Sequence, residues 1–122
     1  MHAFHRTELL VGSENWKRLQ QTRVMVVGLG GVGSYAVEAL ARAGVGHLTL
    51  VDFDYVCVTN LNRQLHAVRR TIGAAKAPLM GERVKAINPR CELVIEQCFY
   101  EAENSERLLA PGYTYVLDAI DN

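Results

Sequence analysis

The chain has 122 residues, of which 49% are hydrophobic and 21% charged, values typical of a globular domain with a core of its own. Thirteen basic residues balance thirteen acidic ones, so the overall charge neither requires nor excludes a polyanionic partner. No stretch approaches the roughly 18 apolar residues that cross a bilayer, and the first residues lack the apolar core of a signal peptide. We therefore expect a cytoplasmic protein without a membrane segment.

The three cysteines, Cys57, Cys91 and Cys98, are an odd number and form no C-x-x-C pair. This pattern argues against a disulfide framework and against a zinc site formed by this chain alone. We expect all three thiols to be buried as small hydrophobic groups and not to act as nucleophiles.

Hydrophobic periodicity predicts four strands that alternate with helices. The predicted strands are residues 23–27, 47–52, 92–97 and 115–119. The predicted helices are residues 13–20, 32–43, 73–88 and 101–109, and residues 54–65 are predicted to form an ordered loop that can hold one helical turn. Two strands joined by a helix of this length form a right-handed βαβ unit. The predicted fold is therefore α/β: a Rossmann-like, doubly wound, mainly parallel sheet flanked by helices.

Two of these helices carry expectations about their buried faces. Ser13 is the expected cap of the first helix, in which Trp16 faces the core or a dimer contact. Small residues recur at helical spacing in the second helix, and this lets the helix lie close to the sheet. The predicted buried stripe of that helix is Val32, Ala36, Ala39, Leu40 and Ala43.

The sheet is predicted to be incomplete, because a doubly wound sheet of this type usually has about six strands and only about four are present. The fourth strand is apolar, and little of the chain follows to cover it. We therefore expect residues 1–122 to be the N-terminal, nucleotide-binding part of a longer protein, with much of the substrate site in the absent C-terminal part.

The apolar run at residues 24–27 leads into four glycines, Gly28, Gly30, Gly31 and Gly33, and then directly into a helical pattern. Such glycines allow a tight turn and a close approach of the backbone to a ligand. The helix start adds free N–H groups and a partial positive charge, so the arrangement is typical of a phosphate-binding site. The alternative is a glycine turn that only packs the helix on the sheet.

The residues after the second strand indicate which nucleotide binds. Asp52 ends that strand at the spacing where a carboxylate accepts hydrogen bonds from ribose hydroxyls. Asn60, Arg63 and Lys76 follow at the same edge of the sheet and can converge on a phosphate chain. The glycine turn and the helix start can compensate the negative charge of a dinucleotide pyrophosphate. A triphosphate carries about four negative charges and needs further cations. A triphosphate is therefore favoured, and a solvated surface role for Arg63 and Lys76 is the alternative.

Asp121 follows the fourth predicted strand at the same edge of the sheet. A carboxylate at this position can hold Mg²⁺ against the phosphates, because magnesium prefers one or two carboxylates together with phosphate oxygens. The alternative for Asp121 is a helix cap or a solvated loop residue.

Six segments in combination resemble one protein family. They are residues 28–34, 52–54, 59–64, 73–76, 87–89 and 118–122, and the resemblance extends over nearly the whole chain. By these segments the chain is similar to the ThiF/MoeB/HesA superfamily, which is related to the ubiquitin-activating enzymes. The glycine segment alone is a weak signal, whereas the six segments together are highly specific.

The resemblance implies ATP as the nucleotide, with Gly31 against the nucleotide, Asp52 on the ribose and Asp121 near magnesium. It also implies that Arg6 reaches into the site of a partner subunit like an arginine finger, so that a homodimer is functional. From the sequence alone, Arg6 as a mobile terminal residue is the alternative. The implied cofactor-binding residues are Gly28, Gly30, Gly31, Gly33, Asp52, Asp54, Asn60, Arg63 and Lys76, and the implied catalytic residues are Arg63, Lys76 and Arg6.

Within the superfamily, residues 6–12, 56–67 and 112–121 look most like the branch of the tRNA threonylcarbamoyladenosine dehydratases. This resemblance implies adenylation of the threonylcarbamoyl carboxylate on a tRNA adenosine, followed by a cyclising dehydration. One alternative is adenylation of the C-terminal glycine of a small ubiquitin-like sulfur-carrier protein. The other is a nicotinamide-dinucleotide-binding module without ligase chemistry.

Overall fold

A computed structural model describes residues 1–121 of the chain. Asn122, the last residue of the family-like segment 118–122, lies outside the described residues. In the part of the chain that is described, no helix has both the length and the apolar character needed to span a bilayer.

Four parallel strands form one sheet, and five α-helices flank it. The strands are β1 Arg23–Val27, β2 His47–Val51, β3 Glu92–Glu96 and β4 Tyr115–Asp118, in the order β3-β2-β1-β4. The helices are α1 His5–Val11, α2 Ser13–Gln21, α3 Gly31–Ala43, α4 Lys76–Ile87 and α5 Ala102–Leu109, with short 3₁₀ turns at Val58–Asn60 and Arg69–Thr71. The predicted Rossmann-like α/β arrangement is confirmed, as are all four strands within one or two residues.

Successive side chains of the two central strands point to opposite faces of the sheet, so the hydrophobic core is divided between the two faces. One face, which carries Val26, Leu48 and Leu50, packs against Val37 of α3 and Met80 of α4. The opposite face has a smaller apolar cluster that includes Leu108 of α5; its other buried members are Met25, Val27 and Val51. Because β1 and β2 are covered on both sides, they read in the sequence as continuous apolar runs.

The buried stripe predicted for α3 is largely wrong, although Leu40 packs partly buried against the core. Val32 is 75% exposed, and the buried residues of this helix are Gly33, Ser34, Val37 and Ala41. The rotation of α3 is set at its first turn, where Gly33 lies so close to Gly28 that a Cβ would collide with the Gly28 carbonyl oxygen. This contact between backbones turns the stripe by about one residue, since neighbouring helical positions are about 100° apart.

Three further differences separate the structure from the expectations. The α1 helix was not predicted; it has no fully buried residue and no apolar stripe to reveal it. Ser13 does not cap α2, whose N-cap is Gly12, although Trp16 is buried as expected. Cys57 is exposed in the loop after β2, whereas Cys91 is buried. The prediction that all three thiols are buried is therefore wrong for Cys57.

The edge strand β4 pairs with β1, and its four residues are all exposed. The expectation that little of the chain covers this strand is confirmed. By contrast, β1 and β2 are buried along nearly their whole length and pack against α3 and α4, so the core of the fold is centred on these elements.

Substitution of Leu48 by alanine should test this assignment of the core. Leu48 is fully buried in β2, so we expect a loss of about 2–5 kcal/mol in the free energy of unfolding. Urea denaturation measures this change. The control is Leu10→Ala on α1, where the leucine is 85% exposed and the expected change is within about 0.5 kcal/mol. Equal losses in the two variants would contradict the assignment.

Candidate functional site

A cleft with a volume of about 370 Å³ lies at the carboxyl edge of the sheet. The ends of β1, β2 and β4 and the loop before α4 all contribute to it. Its lining includes Gly28, Gly30, Asp52, Asp54, Asn60, Arg63, Lys76 and Asp121. Eight of the sequence-predicted site residues therefore meet in one place, although they are spread over more than 90 positions of the chain.

The glycine turn between β1 and α3 forms the floor of the cleft. Gly28 has a φ of +95°, and a Cβ there would lie 2.8 Å from the carbonyl oxygen of Ala119, just after β4. A side chain is therefore excluded both by backbone conformation and by space. Gly30 lines the cleft and its carbonyl accepts the hydrogen bond from Ser34 N–H that opens α3. The free N–H groups of the first helical turn therefore begin directly after a residue that lines the cleft.

Two of the predicted glycines lie behind this surface. Gly33 does not line the cleft but brings α3 against the glycine turn, as described above. Gly31 is covered by the Arg63 side chain, whose Cγ lies 3.6 Å from the position that a Cβ on Gly31 would take. A Cβ at this position would make only an ordinary van der Waals contact with Arg63, so space alone does not require glycine at position 31.

The Asp52 carboxylate joins the glycine turn to the end of β2. Its Oδ2 accepts a hydrogen bond of 2.7 Å from Leu29 N–H, and its Oδ1 accepts one of 2.7 Å from Asp54 N–H. Each oxygen of a carboxylate has two acceptor positions, so both oxygens retain one for a further donor. This carboxylate can therefore accept hydrogen bonds from vicinal hydroxyls while it holds the turn in place.

Lys76 is the first residue of α4, and it is only 5% exposed. Its ammonium Nζ lies 3.6 Å from Oδ2 of Asp54, whose side chain is 54% exposed. A buried ammonium next to one exposed carboxylate is incompletely neutralised. Lys76 therefore presents positive charge to the cleft, where an anionic ligand can pair with it.

Asn60 and Arg63 reach the cleft from the 3₁₀ turn after β2. Asn60 is buried, and its Oδ1 accepts a 2.8 Å hydrogen bond from Cys57 N–H, which closes the turn. Arg63 is exposed, and its Nη1 donates to the carbonyl of Thr59 and to Oδ1 of Asn62. These acceptors are neutral, so among residues 1–121 no carboxylate cancels the Arg63 charge.

Gln64 and His66 belong to the site but were not predicted to. Gln64 lines the cleft, and in the described chain its buried Oε1 has no hydrogen-bond partner. His66 Nε2–H donates a 2.7 Å hydrogen bond to the Leu29 carbonyl in the glycine turn. Burial is the main cause that lowers the pKa of His66, and the nearby Lys76 charge lowers it further. The imidazole is therefore neutral, with Nε2 as its donor.

An aromatic wall closes the other side of the cleft. The rings of Phe53 and Phe99 stack with centroids 3.5 Å apart, and Tyr100 lines the cleft beside them. The Phe99-Tyr100 pair follows β3 at the carboxyl edge, so its position in the sequence already indicates a place beside the cleft. Flat apolar surfaces near a carboxylate with free acceptor positions suit a nucleobase.

Asp121 and Arg6 differ in their relation to the cleft. Asp121 is exposed at the mouth of the cleft, where its carboxylate can hold a hard cation. Arg6 is exposed on α1 and lies beside Arg42 and Arg83 in a separate pocket, so it does not contribute to the cleft of its own chain.

A search of protein families matches the ThiF family model to residues 4–122. The chain belongs to the ThiF family. The relatives of this ThiF-family chain include the tRNA threonylcarbamoyladenosine dehydratase of Haemophilus influenzae, 56% identical over 105 residues, which are 86% of this chain and 40% of that protein. The dehydratase of Bacillus subtilis is 49% identical over 121 residues, covering 99% of this chain and 48% of that protein.

A solved structure titled as the Escherichia coli tRNA N6-threonylcarbamoyladenosine dehydratase in complex with ATP superimposes with a TM-score of 0.96 and 47% identity. The alignment covers 98% of this chain and 49% of that chain. A more distant relative, the sulfur carrier protein adenylyltransferase of Thermus thermophilus, is 37% identical over 98% of this chain. The ThiF-family chain thus spans less than half the length of the curated dehydratases it matches.

The neutral state of His66 should make the stability of this ThiF-family chain depend on pH. The pKa of His66 is lowered in the folded state, so below the ordinary histidine value of about 6.5 the unfolded state binds more protons. The stability that neutral His66 contributes is complete above that value and is lost as the pH falls through the folded-state pKa. We expect His66→Gln to remove this part of the acid destabilisation.

Urea denaturation of both proteins between pH 5 and 7.5 measures the effect. The difference in free energy of unfolding between the original chain and His66→Gln should shrink as the pH falls. A difference that stays constant over this range would contradict a lowered pKa of His66.

Proposed function

We propose that this chain is the ATP-binding part of an enzyme that adenylates the threonylcarbamoyl carboxylate of a tRNA adenosine, after which a cyclising dehydration follows. The observation that carries the proposal is the cleft itself. A glycine turn, the Asp52 carboxylate and the Arg63 and Lys76 cations line one cavity, in a chain whose relatives are dehydratases of this kind.

The charges in the cleft favour ATP over a nicotinamide dinucleotide. The pyrophosphate of a dinucleotide carries about two negative charges, which the glycine turn and the N-terminus of α3 can satisfy. Lys76, buried and incompletely neutralised, and Arg63, without a carboxylate partner in residues 1–121, supply charge beyond that need. A triphosphate uses this additional charge, and the ATP complex of the E. coli relative has the same fold at a TM-score of 0.96.

The ribose, the adenine and the phosphates of ATP each have a complementary group in the cleft. Asp52 can accept hydrogen bonds from the ribose hydroxyls, because both of its oxygens keep an acceptor position. Phe53 and Phe99 provide an apolar surface for the adenine. The N–H groups of the first turn of α3, together with Arg63 and Lys76, then face the phosphates.

The first chemical step makes the carboxylate electrophilic. A carboxylate oxygen attacks the α-phosphorus of ATP, the bond to the bridging oxygen of the β-phosphate breaks, and pyrophosphate leaves. The transition state adds negative charge near the α-phosphate, which Arg63 and Lys76 are placed to stabilise. Attack from within the same side chain then expels AMP and closes the ring, so the two steps together remove one water. No cysteine nucleophile is needed.

The donor set of the cleft fits magnesium. Asp54 and Asp121 offer exposed carboxylate oxygens at the cleft, and a hard cation of this size binds one or two carboxylates together with phosphate oxygens. We infer that Asp121 holds Mg²⁺, because Asp54 already pairs with Lys76. When bound, the ion neutralises phosphate charge and favours departure of pyrophosphate.

The wider assembly is also a proposal. Residues 1–122 form the N-terminal part of a single adenylation domain, whose remaining part completes the substrate surface. Arg6 is exposed and remote from the cleft of its own chain, which is compatible with a role in the cleft of a partner subunit in a cytoplasmic homodimer.

The second candidate substrate is the C-terminal glycine of a small sulfur-carrier protein. It is favoured by the 37% identity to the sulfur carrier protein adenylyltransferase, since adenylation of a carboxylate is the step common to both reactions. The greater identity to the three bacterial dehydratases, 47–56%, favours the tRNA substrate.

A chimera can decide between the two substrates. Residues 1–122 replace the matching half of the E. coli dehydratase, to which this chain is 47% identical. With ATP and tRNA that bears threonylcarbamoyladenosine, we expect release of pyrophosphate and loss of one water from the nucleoside, measured by a phosphate assay and mass spectrometry. Release of pyrophosphate only with a carrier protein that ends in two glycines would establish the alternative instead.

The same chimera tests the roles of the two cations. Arg63→Ala and Lys76→Ala should each slow exchange of labelled pyrophosphate into ATP by about 100-fold or more, because each removes charge stabilisation of the transition state. The control is Lys17→Ala, which removes a cation from the exposed face of α2. Normal exchange in the Arg63 and Lys76 variants, with unchanged circular dichroism, would exclude their phosphate role.

A further inference from the structure

The charges of this neutral chain are strongly segregated along the sequence. Residues 55–91 contain seven basic residues and a single acidic one, Glu82. Residues 92–121 contain seven acidic residues and a single basic one, Arg107. The loop before α4 and the α4 helix itself therefore form a basic segment, although the overall charge gave no indication of one.

Several cations of this segment are occupied by partners within the chain. Arg83 pairs with Glu38 of α3 at 2.6 Å, and Lys85 donates to the backbone carbonyls of Pro89 and Cys91 at the end of α4. Arg69 and Arg70 differ from them: both are exposed, and neither forms an ion pair or a side-chain hydrogen bond with any residue from 1 to 121.

The turn that carries these two arginines is fixed to the floor of the cleft. The hydroxyl of Thr71, at the end of the turn, donates a 2.8 Å hydrogen bond to the carbonyl of His66 and accepts one of 2.9 Å from Val68 N–H. His66 in turn donates to the carbonyl of Leu29 in the glycine turn. Two successive hydrogen bonds thus connect the 3₁₀ turn Arg69–Thr71 to the nucleotide-binding turn, so both lie at the same edge of the sheet.

We propose that Arg69 and Arg70 form an RNA-docking surface beside the adenylation cleft and bind backbone phosphates of nucleotides that flank the reacting adenosine. This inference rests on the proposed function and assigns the part of the described chain that recognises its RNA substrate. Arginine suits this role because its planar fork of donors matches phosphate oxygens and its face can stack on unpaired bases.

The observations favour RNA over a carrier protein as the occupant of this surface. RNA brings a phosphate with every nucleotide, so the neighbours of a nucleotide seated in the cleft carry negative charge to both sides of it. A protein tail that ends in glycine carries one terminal carboxylate, and that group is consumed at the α-phosphate. Two exposed arginines without acidic partners therefore match the polyanion.

The test measures binding of a fluorescently labelled anticodon stem–loop to the 122-residue chain by anisotropy, as a function of salt. The double variant R69A/R70A should bind about tenfold more weakly near 0.1 M salt, and the slope of log K against log salt concentration should become shallower by about one to two. The slope is informative because a change in folding or shape alone does not remove counterion release.

A matched double variant, R18A/R90A, controls for the loss of two positive charges. Arg18 and Arg90 are exposed and form no ion pair within the described chain. They precede β1 and β3 and therefore lie at the opposite edge of the parallel sheet from the cleft. This variant should retain RNA affinity within about twofold and keep most of the salt slope.

ATP affinity, measured on the same proteins by calorimetry, separates failure of this inference from failure of the proposed function. All variants should bind ATP equally, because neither arginine pair lines the cleft. Two outcomes with intact ATP binding would overturn the docking surface alone. One is an equal loss of RNA affinity in both double variants, and the other is no RNA binding by the original chain. The docking surface would also be overturned if R69A/R70A weakened binding of a glycine-terminated carrier protein and left binding of RNA unchanged. Absence of ATP binding would overturn the proposed function as well.

Discussion

The site depends on how the backbone of one apolar residue, Leu29, is held. Its N–H donates to the Asp52 carboxylate, and its C=O accepts from the His66 imidazole, each at 2.7 Å. Its side chain is fully buried in the larger of the two core clusters. With both peptide groups and the side chain fixed, the glycine turn on either side has little freedom. The N–H groups at the start of α3 are therefore oriented before any phosphate arrives, which lowers the entropic cost of binding.

The same two hydrogen bonds bring distant parts of the chain together. Asp52 ends β2 and His66 follows the 3₁₀ turn that carries Asn60, so Leu29 connects β1 to the long loop between β2 and α4. This loop delivers Arg63 to the cleft and leads into Lys76. Without these hydrogen bonds, a loop of this length would lose much conformational entropy when it holds both cations at the cleft. The neutral state of His66, enforced by burial, is what allows it to serve as a donor without adding a third positive charge.

Lys76 illustrates how the fold prepares the cleft for an anion. Its side chain is enclosed at the start of α4, where its backbone N–H is already satisfied by the carbonyl of Asp54. The ammonium group has one carboxylate at 3.6 Å, a distance longer than that of a close ion pair. A phosphate oxygen can therefore approach with little competition.

Much of the fold and a large part of the site were determined by the sequence alone. The apolar runs at 23–27 and 47–51 predict buried parallel strands because their periodicity is local, and the glycine spacing predicts the turn because only glycine tolerates its φ angle and its close contacts. Asp52, Arg63 and Lys76 could be grouped because the carboxyl ends of parallel strands meet at one edge.

Only the tertiary structure decided how these elements face one another. The rotation of α3 follows from the contact between Gly33 and Gly28, which no helical periodicity contains. His66 and Gln64 gain their roles from their positions beneath the glycine turn, more than 30 residues away along the chain. The exposure of Cys57, and the lack of a partner for Arg69 among residues 1–121, depend on which neighbours fold against them. Local patterns specify backbone elements, whereas contacts between residues far apart in sequence arise only when those elements pack.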